Sequence, residues 1–206
     1  MQGQLFSQDF LLRGIALTPP CQAVQQENAV EFAEFLQSLQ RIFAARQADS
    51  FLNEAQTEQE IIDPVLTALG WGDGIFAQVN CSSKGRSDVP DRLLFASAAA
   101  KATAMALLKD DQRYRHGLVI VEAKRWLRPL DRGDGSNAFD PDAPSSQMLR
   151  YLSRAETMSD RAVKWGILTN GAVWRLYWQD ARSRAEMLVA MVLTRCAIGL
   201  SNRAMI

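Results

Sequence analysis

Apolar positions along this chain recur with two different spacings, one typical of helices and one typical of strands. Helical spacing runs from about Ala23 to Arg46 and again from about Phe51 to Leu69, which predicts two amphipathic helices. Pro64 falls inside the second helix, so we expect it to kink that helix or to mark a second start. Gly70 provides a natural end.

Short runs of β-branched and aromatic residues predict the strands. They cover residues 75–81, 91–95, 118–124, 163–168 and 173–178. Asn170-Gly171 between the last two runs predicts a hairpin. A helix is expected across residues 96–113, and another is expected to be capped by Pro144-Ser145-Ser146. The order predicts an α/β fold with a mixed central sheet of about five strands flanked by helices.

The same patterns divide the chain into three expected segments. Residues 1–50 are predicted to form an N-terminal arm and a packing helix, and residues 51–186 to form the core domain. Residues 187–206 are expected to be a C-terminal tail or the start of a linker to a further domain.

Composition mainly excludes other classes of protein. The 206 residues are 48% hydrophobic and carry 23 basic and 23 acidic side chains, which indicates a real core and argues against a general polycation. Cys21, Cys81 and Cys196 are scattered, as expected in a reducing cytosol, and offer no zinc site. With no apolar run of about 18 residues and no signal-peptide pattern, we expect a cytoplasmic protein without a membrane span.

The third predicted strand ends in charged residues. Because side chains alternate along a strand, Glu122 and Lys124 are predicted to share one face. Ile120 and Trp126 are expected on that face, and Ala123 on the opposite one. Opposite charges at the end of a core strand are costly to desolvate unless something uses them. This strand end is therefore the first candidate for a functional site.

Asp91 opens the preceding strand, and adjacent strands would bring it beside Glu122 at one sheet edge. Two converging carboxylates suit a hard divalent cation, Mg²⁺ or alternatively Mn²⁺, and the carbonyl of Ala123 would be a third ligand. Such a cation polarises a phosphoryl oxygen and lowers the pKa of a water. Lys124 would hold that water or stabilise charge on the phosphate. These are the requirements of phosphodiester hydrolysis.

Other polar residues leave alternatives open. Lys84 and Arg86, in a small basic loop, could contact phosphate, although a solvated turn is the more frequent explanation for such a loop. On the second helix, Glu58 falls inside the apolar stripe and Glu54 on its flank. Glu58 either reaches solvent from the end of the stripe or points at whatever the helix packs against.

Several motifs together resemble those of one family. Pro90-Asp91 followed by Glu122-Ala123-Lys124 is similar to the signature of the PD-(D/E)XK nuclease superfamily, and Gln147 to Tyr151 resembles the Q-x-x-x-Y motif of several of its branches. The helix that begins at Glu54 and the hairpin at Asn170 resemble segments of nuclease domains in type I restriction subunits and type IIG restriction-methylation enzymes. The resemblance covers roughly residues 53–178.

The resemblance implies a restriction-endonuclease-like fold and a Mg²⁺-dependent DNA endonuclease, the cleavage domain of a restriction-modification or related phage-defence system. Asp91 and Glu122 would bind the metal, and Lys124 would serve the water. An acidic residue of the first motif helix would assist, and Gln147 would contact DNA or the metal's waters. The implied catalytic residues are Asp91, Glu122, Lys124, Gln147 and either Glu54, by spacing from Pro64, or Glu58, by helical geometry.

The sequence departs from these relatives in one respect. No methyltransferase motif and no Walker glycine loop follows the matching segment, so we expect either a fragment of a larger polypeptide or a solitary domain that works with methyltransferase or specificity partners. The competing hypothesis is a catalytically silent DNA-binding or assembly module, against which the intact Asp91, Glu122 and Lys124 weigh. A third hypothesis treats Glu122 and Lys124 as a structural ion pair.

Overall fold

A computed structural model of the chain describes residues 10–44, 51–72, 76–79, 81, 89–131, 143–180 and 189–192. These residues form an α/β fold in which helices flank both faces of a mixed sheet, as the sequence predicted. Within the described ranges, no helix is long and apolar enough to cross a membrane.

The strands lie in the sheet in the order in which they occur in the chain. They are β1 Phe76–Ala77, β2 Arg92–Phe95, β3 Gly117–Ala123, β4 Trp165–Thr169, β5 Val173–Trp178 and β6 Val189–Val192. Neighbouring strands are antiparallel except β3 and β4, which are parallel. The predicted strand count is not confirmed, because the described residues form four central strands and two short edge strands. The edge strand β6 comes from the segment 187–206.

The helices pack on the two faces of this sheet. They are α1 Pro19–Glu27, α2 Ala29–Ala44, α3 Glu54–Thr57, α4 Asp63–Ala68, α5 Ala98–Met105, α6 Asp110–Tyr114 and α7 Pro144–Met158. A π-helical turn, Glu58–Ile62, joins α3 to α4 and leaves Pro64 in the first turn of α4, where its missing N–H is not needed. The second start predicted at Pro64 is therefore present.

Two predicted helices differ in detail. The helix expected across residues 96–113 is two helices, α5 and α6, separated by a turn at which Leu108 is exposed. The expected cap at the start of α7 is wrong. Ala143 occupies the N-cap position without a side-chain hydrogen bond, and Ser145 and Ser146 lie inside the first turn. Pro144 alone accounts for the start, because its fixed φ favours the first helical position.

Alternation along β2 and β3 divides the core into two clusters. The first lies between the sheet and α5, α6 and α7, and includes Leu93, Phe95, Ile120, Met148, Leu152 and Leu168. The second lies under α2 and α4, and includes Phe43, Ile62, Val65, Leu94, Val121 and Trp174. Gly166 permits the close approach of α7 to β4, since a Cβ there would lie 2.7 Å from the Met148 sulfur.

The predicted position of Trp126 is wrong. β3 ends at Ala123, and Trp126 packs in the second cluster with Val121 and Ala123 rather than on the face of Ile120. Alternation predicts side-chain direction only while the chain remains a strand.

Candidate active site

Asp91 and Glu122 meet where β2 begins and β3 ends. The antiparallel register pairs Arg92 with Val121, so Asp91 and Glu122 are the next positions outward on the two strands. Asp91 Oδ2 accepts a hydrogen bond from the backbone N–H of Ala123 at 2.7 Å. The structure therefore brings the Asp91 carboxylate to the end of β3 at which the sequence placed it.

Glu122, on β3, and Lys124, the first residue after that strand, form a buried ion pair. Only 2% of Glu122 and 6% of Lys124 is exposed, and Lys124 Nζ donates to Glu122 Oε1 at 2.6 Å. The second carboxylate oxygen, Oε2, is buried and accepts no hydrogen bond from the described part of the chain. Leaving a buried acceptor without a donor costs about 1–3 kcal/mol, and more for a charged group. This oxygen is thus a buried acceptor to which the described residues supply no donor.

The two carboxyl groups are difficult to ionise together. Burial raises the pKa of Asp91 to about 6, although the Ala123 N–H opposes the shift. Burial raises the pKa of Glu122 to about 7, and the nearby Asp91 raises it further while Lys124 opposes the shift. Burial also disfavours the charged form of Lys124, but the adjacent Glu122 outweighs this effect and raises the pKa of Lys124. The site holds more negative charge than Lys124 compensates.

Arg92 engages one of the two candidate carboxylates of the first motif helix. Its Nη2 donates to Glu58 Oε2 at 2.7 Å and to Asp63 Oδ2 at 3.1 Å, and its Nη1 donates to the carbonyl of Asp91 at 2.9 Å. Glu58 is therefore held in an ion pair beside Asp91. Its charge still raises the pKa of Asp91, after the larger effects of burial and of the Ala123 N–H.

Glu54 is the other candidate, and its charge reaches further into the site. It contributes to the raised pKa values of Asp91, Glu122 and Lys124, in each case after larger causes, of which burial is the first. Glu54 is partly buried in the first turn of α3, whose N-cap Asn53 forms a capping box with Gln56. Glu58 affects the pKa of Asp91 more than Glu54 does, whereas only Glu54 also affects those of Glu122 and Lys124, so both carboxylates remain candidates.

Gln147 contacts Tyr151, and the structure gives no contact between Gln147 and the described residues of the Asp91–Glu122–Lys124 site. Gln147 Nε2 donates to the Tyr151 hydroxyl at 2.8 Å, one helical turn farther along α7. Burial raises the pKa of Tyr151, and the charge of Glu122 raises it further, so this hydroxyl lies within electrostatic reach of the site. Burial likewise raises the pKa of Cys81 to about 11, with a smaller contribution from Glu122. Cys81 and Tyr151 both belong to the first core cluster, on the face of the sheet that α7 covers.

The backbone that follows β3 is fixed by residues that the sequence analysis did not identify. Three hydrogen bonds of 2.8 Å hold it: Lys124 N–H to the Thr169 carbonyl, Trp126 N–H to Thr57 Oγ1, and Asn170 Nδ2 to the Arg128 carbonyl. Gly171, at φ +82°, lets the β4–β5 turn approach the Trp126 ring, since a Cβ there would lie 2.8 Å from it. A signal for Thr57 existed, because it lies four residues before the buried Ile61 on one helical face.

Two parts of the predicted site stay predictions. Lys84 and Arg86, the predicted phosphate contacts, lie outside the described residues. Ala123 is buried and its N–H is bound to Asp91, while a ligand role for its carbonyl stays a prediction.

A cation would have few protein ligands here. Within the described ranges, no group of three or more His, Cys, Asp and Glu side chains is arranged to hold a metal ion. The donor set nevertheless fits Mg²⁺, which binds through one or two carboxylates and keeps several waters. The Glu122 oxygen without a donor and the proximity of two carboxyl groups are the features that a hard cation would satisfy.

Comparisons with known proteins give no support for or against these assignments. The chain matches no protein-family profile, no curated protein and no solved structure, so its similarity to PD-(D/E)XK nucleases stays a prediction that depends on its motifs.

Proposed function

We propose that this chain is a Mg²⁺-dependent DNA endonuclease domain of the PD-(D/E)XK kind, with a restriction-endonuclease-like fold. The observation that carries the proposal is the convergence of Asp91, Glu122 and Lys124 at the junction of β2 and β3, where Glu122 Oε2 is buried without a donor. Its biological setting would be cleavage of DNA in a restriction-modification or related phage-defence system, together with methyltransferase or specificity partners.

Each residue has a distinct task in this proposal. Asp91 and Glu122 would hold the cation, with the Ala123 carbonyl completing the protein ligands. Bound Mg²⁺ would supply polarisation of the scissile phosphate and a water of lowered pKa. Lys124, kept protonated by Glu122, orients that water or stabilises the charge that develops on the phosphate. Gln147, supported by Tyr151, would contact the DNA backbone or the ordered waters.

A structural ion pair alone does not account for this arrangement. Replacement of a buried ion pair by apolar residues is often neutral or stabilising, so stability is a weak reason to keep one. Raised pKa values of Asp91 and Glu122 also mean that their ionised forms oppose folding near neutral pH. Charged groups that are held at an energetic cost, close to each other, are candidates for chemistry.

The test is Mg²⁺-dependent nicking of supercoiled plasmid by the purified chain. Asp91→Asn and Lys124→Ala are expected to lower the nicking rate by about 10²–10³-fold, because each removes electrostatic stabilisation or metal binding. Asp131→Asn and Lys164→Ala are the matched controls, since each removes a charge from an ion pair outside the site. Circular dichroism checks that all four variants fold.

Two results would overturn the proposal. In the first, the Asp91 or Lys124 variant nicks DNA as fast as the wild type. In the second, the wild-type chain binds DNA but cleaves nothing with Mg²⁺ or Mn²⁺, which would favour the catalytically silent module instead.

A further inference from the structure

The charged groups of the site that the structure describes form hydrogen bonds with one another and with the backbone. Asp91 Oδ2 accepts from the Ala123 N–H at 2.7 Å, and Glu122 Oε1 accepts from Lys124 Nζ at 2.6 Å. Arg92 engages Glu58 on the α4 side. Among the described residues, the cation that contacts Glu122 is the Lys124 ammonium, which binds Oε1, while Oε2 accepts no hydrogen bond from them.

A divalent cation and the ammonium compete for the same buried carboxylate. The side chain of Lys124 is 8% exposed and that of Glu122 is 3% exposed, so water screens repulsion between the two cations poorly. A hard cation also gains from each oxygen that it coordinates, and Lys124 holds one of the few that this site provides. Binding of the cation through Glu122 thus favours release of the ammonium from Oε1.

We propose that Lys124 is a built-in counterion that a divalent cation displaces from Glu122. In this proposal the ammonium neutralises the buried carboxylate in the metal-free protein, and metal binding frees it for the phosphate of the substrate. The inference deepens the proposed nuclease function and rests on it. A permanent Glu122–Lys124 pair that persists in the metal complex is the alternative.

The first experiment measures Mn²⁺ affinity by electron paramagnetic resonance of the free ion, in mildly alkaline buffer so that both carboxyls are ionised. Lys124→Met removes the competing charge, and Lys124→Gln removes the charge but keeps a hydrogen-bond donor. Both variants are expected to bind Mn²⁺ about tenfold more tightly than the wild type, because the site gains net negative charge. Lys164→Met is the matched control, since Lys164 pairs with Asp180 at the surface, and its affinity is expected to be unchanged.

The second experiment uses the wild-type chain and does not depend on whether the variants fold. Acetylation of lysines is followed by mass spectrometry with and without saturating Mn²⁺. Release of the ammonium is expected to raise the labelling rate of Lys124 severalfold, while the rate at Lys164 stays constant. The proposal is overturned if the folded Lys124 variants bind Mn²⁺ no more tightly than the wild type, or if Mn²⁺ leaves the labelling of Lys124 unchanged or lowers it.

The two proposals fail in different ways. If the wild-type chain binds no Mn²⁺ at all, the nuclease function itself fails, and the counterion role fails with it. If the wild type binds Mn²⁺ and cleaves DNA, but the variants bind no more tightly, only the counterion role is wrong.

Discussion

Two acid–base pairs of this protein have similar lengths and opposite electrostatic character. Glu122 and Lys124 lie 2.6 Å apart at the candidate site, and Arg175 donates to both oxygens of Asp131 at 2.5 and 2.7 Å. Those two hydrogen bonds lower the pKa of Asp131, whereas burial raises the pKa of Glu122 to about 7. A short contact with a cation therefore does not by itself lower the pKa of a carboxylate. The number of hydrogen-bond donors to the carboxylate and its exposure to water determine whether its pKa is lowered or raised.

The difference indicates that the Asp131–Arg175 pair is a structural anchor, whereas the Glu122–Lys124 pair belongs to the candidate site. Both oxygens of Asp131 have a donor and its side chain is 45% exposed, so the pair fixes the end of the segment that follows β3 at little cost. Glu122 keeps one oxygen without a donor in a buried position. Loss of the Asp131–Arg175 pair should therefore change stability little. The energetic cost of burying the Glu122–Lys124 pair is explained if a ligand binds beside it.

The largest effect is expected from Glu122→Gln. The neutral amide removes a metal ligand, so nicking should fall by about 10²–10³-fold. At about pH 8 without metal, the same variant should be more stable than the wild type by about 1–3 kcal/mol, because an ionised buried carboxylate no longer opposes folding. Urea unfolding measures the second effect. A variant that is less stable than the wild type at this pH would show that the Lys124 pair stabilises the fold.

The pH dependence of stability should differ between the two regions. Asp91 and Glu122 have pKa values of about 6 and about 7 in the folded chain, above the value of about 4 in an unfolded one. The folded state then binds more protons across this window, so these groups lower the free energy of unfolding as pH rises from about 4 to 7, by about 3 kcal/mol for Glu122. Asp131, with a lowered pKa, contributes stability above its unfolded pKa that is lost as pH falls through its folded pKa.

Urea unfolding of the metal-free chain at several pH values measures these trends. The double variant Asp91→Asn with Glu122→Gln should flatten the loss between about pH 4 and 7. An equal slope in the wild type and the double variant would mean that other groups control the pH dependence.

A smaller effect is expected from the hydrogen bond between Thr57 and the Trp126 N–H, which helps to hold the backbone after β3. Thr57→Val removes the hydroxyl that accepts from the Trp126 N–H, and the buried donor left behind should cost about 1–3 kcal/mol. Thr57→Ser keeps the hydroxyl and should restore most of the stability. Thermal unfolding, followed by tryptophan fluorescence, measures both variants. If Thr57→Val were as stable as Thr57→Ser, the hydrogen bond would not be needed to hold the chain after β3.

The smallest effect is expected from loss of the Asp131–Arg175 anchor. Asp131→Asn should lower the free energy of unfolding by about 0.5–1 kcal/mol, because the pair is partly exposed and screened by water. The difference should shrink in about 1 M salt, and nicking should not change. A loss of nicking would indicate that the Asp131–Arg175 pair positions the site as well as the fold.

The parts of this site that local periodicity controls could be predicted from the sequence. Alternation along β3 extends one residue past its end to Lys124, whose N–H still bonds to the Thr169 carbonyl, so it placed Glu122 and Lys124 together. The assumption of neighbouring strands brought in Asp91. The same rule failed for Trp126, because the strand ends at Ala123 and the chain then follows hydrogen bonds to other elements.

The choice between Glu54 and Glu58 could not be made from the sequence. Helical geometry with a constant period put Glu58 on the packed face, but the π-helical turn that starts at Glu58 changes the period at that point. The partner of Glu58 is Arg92, 34 residues away, and such a long-range ion pair leaves no periodic signal. In the fold as a whole, tertiary contacts rather than the local sequence pattern determined where helices begin and where strands end.

Gly166 has a consequence beyond the packing of β4. Because only a hydrogen atom separates this backbone from the Met148 sulfur, the residue sets the thickness of the layer between sheet and α7. Any larger side chain there would force the Met148 side chain to move within the layer between the sheet and α7. The fit of α7 against the sheet that carries Glu122 therefore depends on a strand residue that has no side chain.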